Sequence, residues 1–158
     1  MRLCGQQAVW NYEEENGLLT IQGVGAMEDY TEPEQVPWNS LMQEIKVVVI
    51  RDGITTVGDY AFAGCSNLQE VTLPGSVEIV GVFSFKGCTG LREIVIPEGV
   101  RVLASKAFQF CSALKKVYLP STLIDVDMRA FGKCESLEEV FYQGSEEQWE
   151  QIMISRSA

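Results

Sequence analysis

Phe62-Ala-Gly-Cys65, Phe85-Lys-Gly-Cys88, Phe108-Gln-Phe-Cys111 and Phe131-Gly-Lys-Cys134 follow one another at a fixed interval of 23 residues. A period between about twenty and fifty residues marks a repeat architecture, in which each unit buries its apolar face only by stacking on the next. The interval holds in other columns too. Leu68, Leu91, Leu114 and Leu137 keep it, as do Val71, Ile94, Val117 and Val140, then Leu73, Ile96, Leu119 and Tyr142. Pro74, Pro97 and Pro120 close those runs. A second apolar series runs through Ile54, Val77, Val100 and Leu123, then Val57, Val80, Leu103 and Val126, then Ala61, Ser84, Ala107 and Ala130. Ile45, Val48 and Ile50 carry the array one unit upstream, so units span 45–67, 68–90, 91–113 and 114–136, with a fifth strand at 137–142.

Within a unit, Leu-x-x-Val-x-Leu-Pro alternates at period two, which predicts a strand with one buried face. Proline ends it, because proline lacks the donor a ladder needs and fixes its own φ. A second short alternation follows, as at Val77 to Val80, and the compact Ala-Phe-x-x-Cys stretch predicts about one helical turn. Equivalent positions then stack at about 4.7–4.9 Å, so the Phe, Leu and Cys columns become internal ladders. Each buried Phe or Leu contributes about 1.5–3 kcal/mol.

The units from Ile54 to Leu68 and from Val100 to Leu114 resemble the leucine-rich repeats of BspA-like bacterial surface proteins, and the periodic motif covers residues 45–142. The resemblance implies an α/β leucine-rich-repeat solenoid of short parallel strands and short helical turns. It also implies an exported or cell-surface protein that serves adhesion or protein recognition and carries no chemistry of its own. Phe110 and Lys133 depart from the pattern where Gly64 and Gly87 stand, and Gln143 replaces the proline.

The flanks read as caps. Ala8 to Tyr12 and Leu18 to Ile21 border the polar Glu13 to Gly17 and predict a hairpin, and the stretch after Pro37 predicts a short helix, so residues 1–44 form an N-terminal cap. An open solenoid end exposes apolar core and unpaired strand edge, which such caps cover. Residues 143–158 form a C-terminal cap or tail, with Trp149 turned inward and Glu146, Glu147 and Glu150 outward.

Composition excludes several function classes. With 22 acidic against 12 basic residues the net charge is −10, the wrong sign for a phosphate-backbone partner or an anionic membrane surface. No apolar run reaches the length of a spanning helix. The chain holds no histidine, which removes Ser-His and Cys-His nucleophile pairs and His-ligated metals. The 23-residue cysteine interval fits no zinc motif, so the thiols read as small, free, buried core groups. Cys4 lies outside the array and is open to exposure. Gly23-Val-Gly25 lacks the third glycine of a dinucleotide loop. Asp125 and Asp127 lack calcium-loop spacing, and Glu138 and Glu139, adjacent on a strand, make a poor acid/base pair. No enzyme, cofactor or metal is expected.

The outward face of the main sheet is the remaining candidate site, since a solenoid gathers there one residue from every unit. Alternation selects Val49, Thr72, Val95, Tyr118 and Phe141, preceded by Val47, Glu70, Glu93, Lys116 and Glu139. Tyr118 beside Phe141, edged by Arg92, Glu93, Lys115 and Lys116, has the composition of a recognition patch, aromatic anchors with a charged rim. The same column also fits plain strand propensity. Ile79, Val102 and Ile124 form a second outward series suited to self-association. The functional readings are a protein- or glycan-binding module and a structural spacer of a larger surface protein. Met1-Arg-Leu-Cys4 holds no export signal region, which leaves a cytoplasmic location as the alternative to the surface.

Overall fold

A computed structural model describes residues 2–127 and 129–157. The chain opens with an antiparallel hairpin of β1 (Ala8–Glu13) and β2 (Leu18–Gly23), followed by the short β3 (Gly25–Ala26). Single 3-10 turns at Pro33–Gln35 and Asn39–Leu41 lead into the array. Each rung then places one strand in a first sheet and a shorter one in a second. The pairs are β4 (Val47–Ile50) with β5 (Ile54–Val57), β6 (Glu70–Thr72) with β7 (Ile79–Val80), and β8 (Glu93–Val95) with β9 (Val102–Leu103). β10 (Lys116–Leu119) with β11 (Asp125–Val126) follows, then β12 (Glu139–Tyr142) and helix α1 (Glu146–Ser157). Neighbouring rungs pair in parallel and in register: Val117 lies opposite Ile94 and Val140, and Val80 opposite Val57 and Leu103.

The space between the sheets is filled by the repeat columns. Phe62, Phe85 and Phe108 are fully buried, and their rings stack face to face with centroids 5.2 Å apart. Phe131 extends the ladder at one end, 5.4 Å from Phe108, and Trp38 at the other, 5.5 Å from Phe62. Trp38 also donates its indole N–H to Ala61 O at 2.8 Å, so its polar atom is satisfied inside the core. The thiols run alongside. Cys88, Cys111 and Cys134 each donate to the carbonyl of the phenylalanine one rung back, Phe62, Phe85 and Phe108, at 3.3, 3.2 and 3.1 Å. That geometry gives the Phe-x-x-Cys spacing a reason beyond packing, because it joins consecutive rungs through a buried donor and acceptor.

The helical readings hold as short turns, and three other expectations need correction. The segment after Pro37 forms the short 3-10 helix Asn39–Leu41, and the Phe-Cys stretch forms single turns that do not run on into a helix. Turn bonds such as Cys65 N–H to Phe62 O alternate with bonds to the next rung, such as Phe62 N–H to Ser84 O and Gly64 N–H to Lys86 O. Left-handed residues, Tyr60 at φ 63° and Gly64 at φ 84°, break any helical run. The entry segment likewise stops at single 3-10 turns. Cys4 is fully buried: its N–H bonds Ala8 O and its carbonyl accepts from Glu28 N–H, so the N-terminal arm folds back over it. Val140, in the column of buried Ile94 and Val117, is 47% exposed, because β12 is an edge strand paired with β10 alone. Finally, Ile124 does not continue the Ile79–Val102 series: the register sets Asp125 opposite Val102, and Ile124 lies one residue earlier, beside Gln148 and Ile152 of α1.

The hairpin substitutes for a missing rung. β2 pairs parallel with β4, Leu19 opposite Val48 and Ile21 opposite Ile50, and β1 then covers the outer edge. At the far end Trp149 packs on Tyr142, with centroids 5.1 Å apart, and Ile152 is buried. The two sheets differ in continuity. The second runs unbroken through β3, β5, β7, β9 and β11, whereas the first parts into β1-β2-β4-β6 and β8-β10-β12.

Candidate functional site

The outward face of β8, β10 and β12 is built by the period-two alternation that sends Ile94, Val117 and Leu119 inward. Register sets Val95 opposite Tyr118 and Tyr118 opposite Phe141. The two rings stack on the surface with centroids 4.9 Å apart and planes 18° from parallel. Val95 is 53% exposed and Phe141 38%, a contiguous apolar strip open to solvent. The row before it alternates in sign, Glu93, Lys116 and Glu139 standing opposite one another. Arg92 and Lys115, one residue earlier, are exposed at the strand entrances. Thr72 is exposed as well but belongs to the other half of the sheet, opposite Val49 and not laddered to Val95.

Beside Tyr118 a shallow cleft of about 270 Å3 is lined by Val95, Pro97, Glu98, Tyr118, Pro120 and Gln143. The prolines that end the strands thus also wall the cleft, a role their column did not announce. Val140 is a second residue the pattern missed, since alternation assigns it to the core. A third feature sits on the opposite corner, where Tyr60, Phe83 and Lys106 hold φ near +60°, which costs an L-residue about 1–2 kcal/mol each. Tyr60 and Phe83 pack at 5.0 Å, and the Lys86 and Lys106 ammonium groups lie 5.0 and 5.5 Å from the centre of the Phe83 ring. The same 23-residue interval would have revealed this column. A larger concavity, about 840 Å3, lies at the N-terminal arm between Leu3 and Glu28, away from the sheet face.

The geometry offers binding surface. Burial pushes the Cys65 thiol up to about 12, far from the range of a nucleophilic cysteine. Asp127 accepts from Arg129 N–H at 2.9 Å and lies 3.7 Å from its Nε. Among the described residues no three metal-ligating side chains converge, and no helix is long and apolar enough to cross a membrane.

Comparison with known proteins agrees with this architecture. The chain resembles a leucine rich cell surface protein from Faecalibacterium prausnitzii, with a TM-score of 0.75, 23% identity and coverage of 94% of this chain but 41% of that one. A leucine-rich repeat protein from Eubacterium ventriosum gives 0.69 at 23% identity, covering 92% of this chain and 44% of that one. The pneumococcal vaccine antigen PcpA gives 0.61, also at 23% identity, over 66% of this chain and 26% of that one. The chain therefore spans less than half the length of each of these structures, which share its fold. No curated protein is similar in sequence. The sequence pattern of the BspA type leucine rich repeat region matches residues 40–157 in six copies. On that match the chain belongs to the BspA-type leucine-rich repeat family.

Proposed function

We propose that the chain is a recognition module of a bacterial cell-surface protein, non-enzymatic and adhesin-like, that holds a protein or glycan ligand against the face of its first sheet. The observation that carries this reading is the stacked pair Tyr118 and Phe141 in register with exposed Val95. Aromatic groups buried at the centre of an interface supply most of its energy, and a charged rim excludes mismatched partners. Arg92, Glu93, Lys115, Lys116 and Glu139 form that rim, with Thr72 at its border. Surface location is supported by the likeness to the F. prausnitzii cell surface protein.

The test is retention of the purified chain on arrayed matrix proteins, mucins and polysaccharides, beside the variant Tyr118→Ala, Phe141→Ala. A partner held by the wild type and released by the folded variant carries the proposal. Equal retention moves the ligand to another surface. A second reading, a spacer that presents other domains, draws on the short span of the chain relative to its structural relatives. Absence of any retained partner favours it.

A further inference from the structure

The parting of the first sheet follows from one missing set of hydrogen bonds. At the other steps, the residue before the strand offers its carbonyl to two N–H groups of the next rung. Lys46 and Val47 donate to Gly17 O at 2.8 and 3.1 Å, and Gln69 and Glu70 to Lys46 O at 2.8 and 3.3 Å. Lys115 and Lys116 donate to Arg92 O at 2.8 and 3.4 Å, and Glu138 and Glu139 to Lys115 O at 2.9 and 3.0 Å. Among the described residues, Gln69 O receives neither Arg92 nor Glu93 N–H, and β6 and β8 form no ladder. The second sheet is intact at the same step, Arg101 and Val102 N–H bonding Glu78 O at 2.8 and 3.1 Å. The rungs are therefore stacked normally and only the first sheet is splayed.

A cleft of about 500 Å3 opens there, lined by Ser66, Asn67, Gln69, Thr89, Arg92 and Ala113, and closed on one side by Gly90, whose backbone packs against that of Ser66 and Leu68. That volume is within the usual range for small-ligand sites, about 300–1,000 Å3. Its walls carry two hydroxyls and two amides, each able to donate and accept, and one guanidinium. No carboxylate lines it, although acidic residues outnumber basic ones almost two to one. Two of the groups are already positioned from behind: Ser66 Oγ donates to Gln43 Oε1 and Asn67 Nδ2 to Gln43 O. Lys46 and Lys115 stand one rung beyond Gln69 and Arg92 in the same column, and Glu70 and Glu93 follow those two in the chain.

We infer that this cleft is a binding site for an acidic saccharide, a glycan bearing a uronate or similar carboxylate. The Arg92 fork matches a carboxylate bidentately. Hydroxyls of the sugar find donors and acceptors in Ser66, Asn67, Gln69, Thr89 and the unladdered backbone of Gln69 and Arg92, groups that otherwise need water. An acidic peptide fits less well, since Ala113 alone offers an apolar wall for a side-chain anchor. The site shares Arg92 with the rim proposed above and is independent of the aromatic column.

The experiment has two arms. In hydrogen exchange of the free chain, the amides of Arg92 and Glu93 exchange faster than those of Gln69, Glu70, Lys115 and Lys116, and saturation with tri-galacturonate slows them. Equal protection in the free chain means the sheet is closed and overturns the inference. In calorimetric titration, tri-galacturonate binds the wild type and the variant Tyr118→Ala, Phe141→Ala alike. Arg92→Gln binds about tenfold or more weakly at an unchanged melting temperature. Galactotriose binding as tightly as its acidic counterpart, tri-glutamate binding in its place, sensitivity to the aromatic variant alone, or no heat at millimolar sugar would each overturn it.

Discussion

Two columns run the length of the array, one inside and one outside. The inner one repeats a single residue, Phe62, Phe85, Phe108 and Phe131, with planes between 3° and 21° from parallel. The outer one never repeats between neighbours, and valine alone recurs in it: Val49, Thr72, Val95, Tyr118, Phe141. The difference lies in what each position touches. An inner ring meets the same ring above and below, so a change at one rung is felt at two interfaces. An outer side chain has solvent on one side and is free to vary with whatever it meets. Uniformity along a column is thus the mark of packing, and variation the mark of a surface left open to a ligand.

The sharpest way to break that contrast is to damage each column at one rung. Phe85→Ala removes a ring stacked on both sides, and an aromatic deleted from a packed core costs about 3–5 kcal/mol. Urea denaturation should show the full loss, and Phe85→Ala with Phe108→Ala should be non-additive, since the two share a cavity. Val95→Ala, on the outer column, should fall within about 0.5 kcal/mol of wild type. Comparable losses at the two sites would remove the distinction.

Titration separates the columns in a second way. Burial pushes Cys65 up to about 12, and burial with the nearby Glu28 carboxylate does the same for Cys4. Burial also raises Tyr30. In the unfolded chain these thiols ionise near their ordinary value of 9.0. A folded pKa above the unfolded one contributes stability that is fully present below pH 9 and is lost as pH rises towards 12. Melting temperature should therefore be flat through neutrality and fall above pH 9, and Cys65→Ala should fall less steeply. A flat profile to pH 11 would mean the thiols are not buried as described.

Ser84 interrupts the inner logic. It stands where the other rungs carry Ala61, Ala107 and Ala130, is fully buried, and its hydroxyl has no partner among the described residues. A buried polar group left unpaired costs about 1–3 kcal/mol. Ser84→Ala should therefore stabilise the chain by up to about that amount, read as a rise in the urea midpoint at constant slope. Destabilisation would show that the hydroxyl is used.

How much of this was legible follows from the same contrast. The interior was, because stacking forces identical residues to recur: the Phe, Leu and Cys columns marked the solenoid, while the hairpin was read separately from the two apolar runs around Glu13 to Gly17. Ends and irregularities were not. Val140 matches its column by residue type, and it is exposed because, among the described residues, β12 pairs with β10 alone. Cys4 is buried by an arm whose contacts with Ala8 and Glu28 obey no period. The Phe-Cys turns resemble helix by composition, yet left-handed residues at Tyr60 and Phe83 send every second N–H to the next rung. The splay between β6 and β8 leaves no trace in the sequence at all, since Gln69 and Arg92 look like ordinary members of a polar column. Of the outward face, alternation yielded the columns, and the structure added the ring stacking and the proline-walled cleft.

A small effect on stability is also expected at the stacked pair of the proposed site. Tyr118 and Phe141 stack on a solvent-facing surface, where a cross-strand pair is worth about 0.2–1 kcal/mol, so Tyr118→Ala, Phe141→Ala should unfold within about 1 kcal/mol of wild type. Binding should respond far more, because truncation of an interface anchor commonly costs about 2 kcal/mol or more. The ratio of the two effects carries the argument. A pair kept for packing would lose stability and leave binding alone; a pair kept for recognition does the reverse. Loss of both together would mean that β12, an edge strand with a single partner, depends on the stack to stay in the sheet, and that the outer column at this end is built on the rule of the inner one.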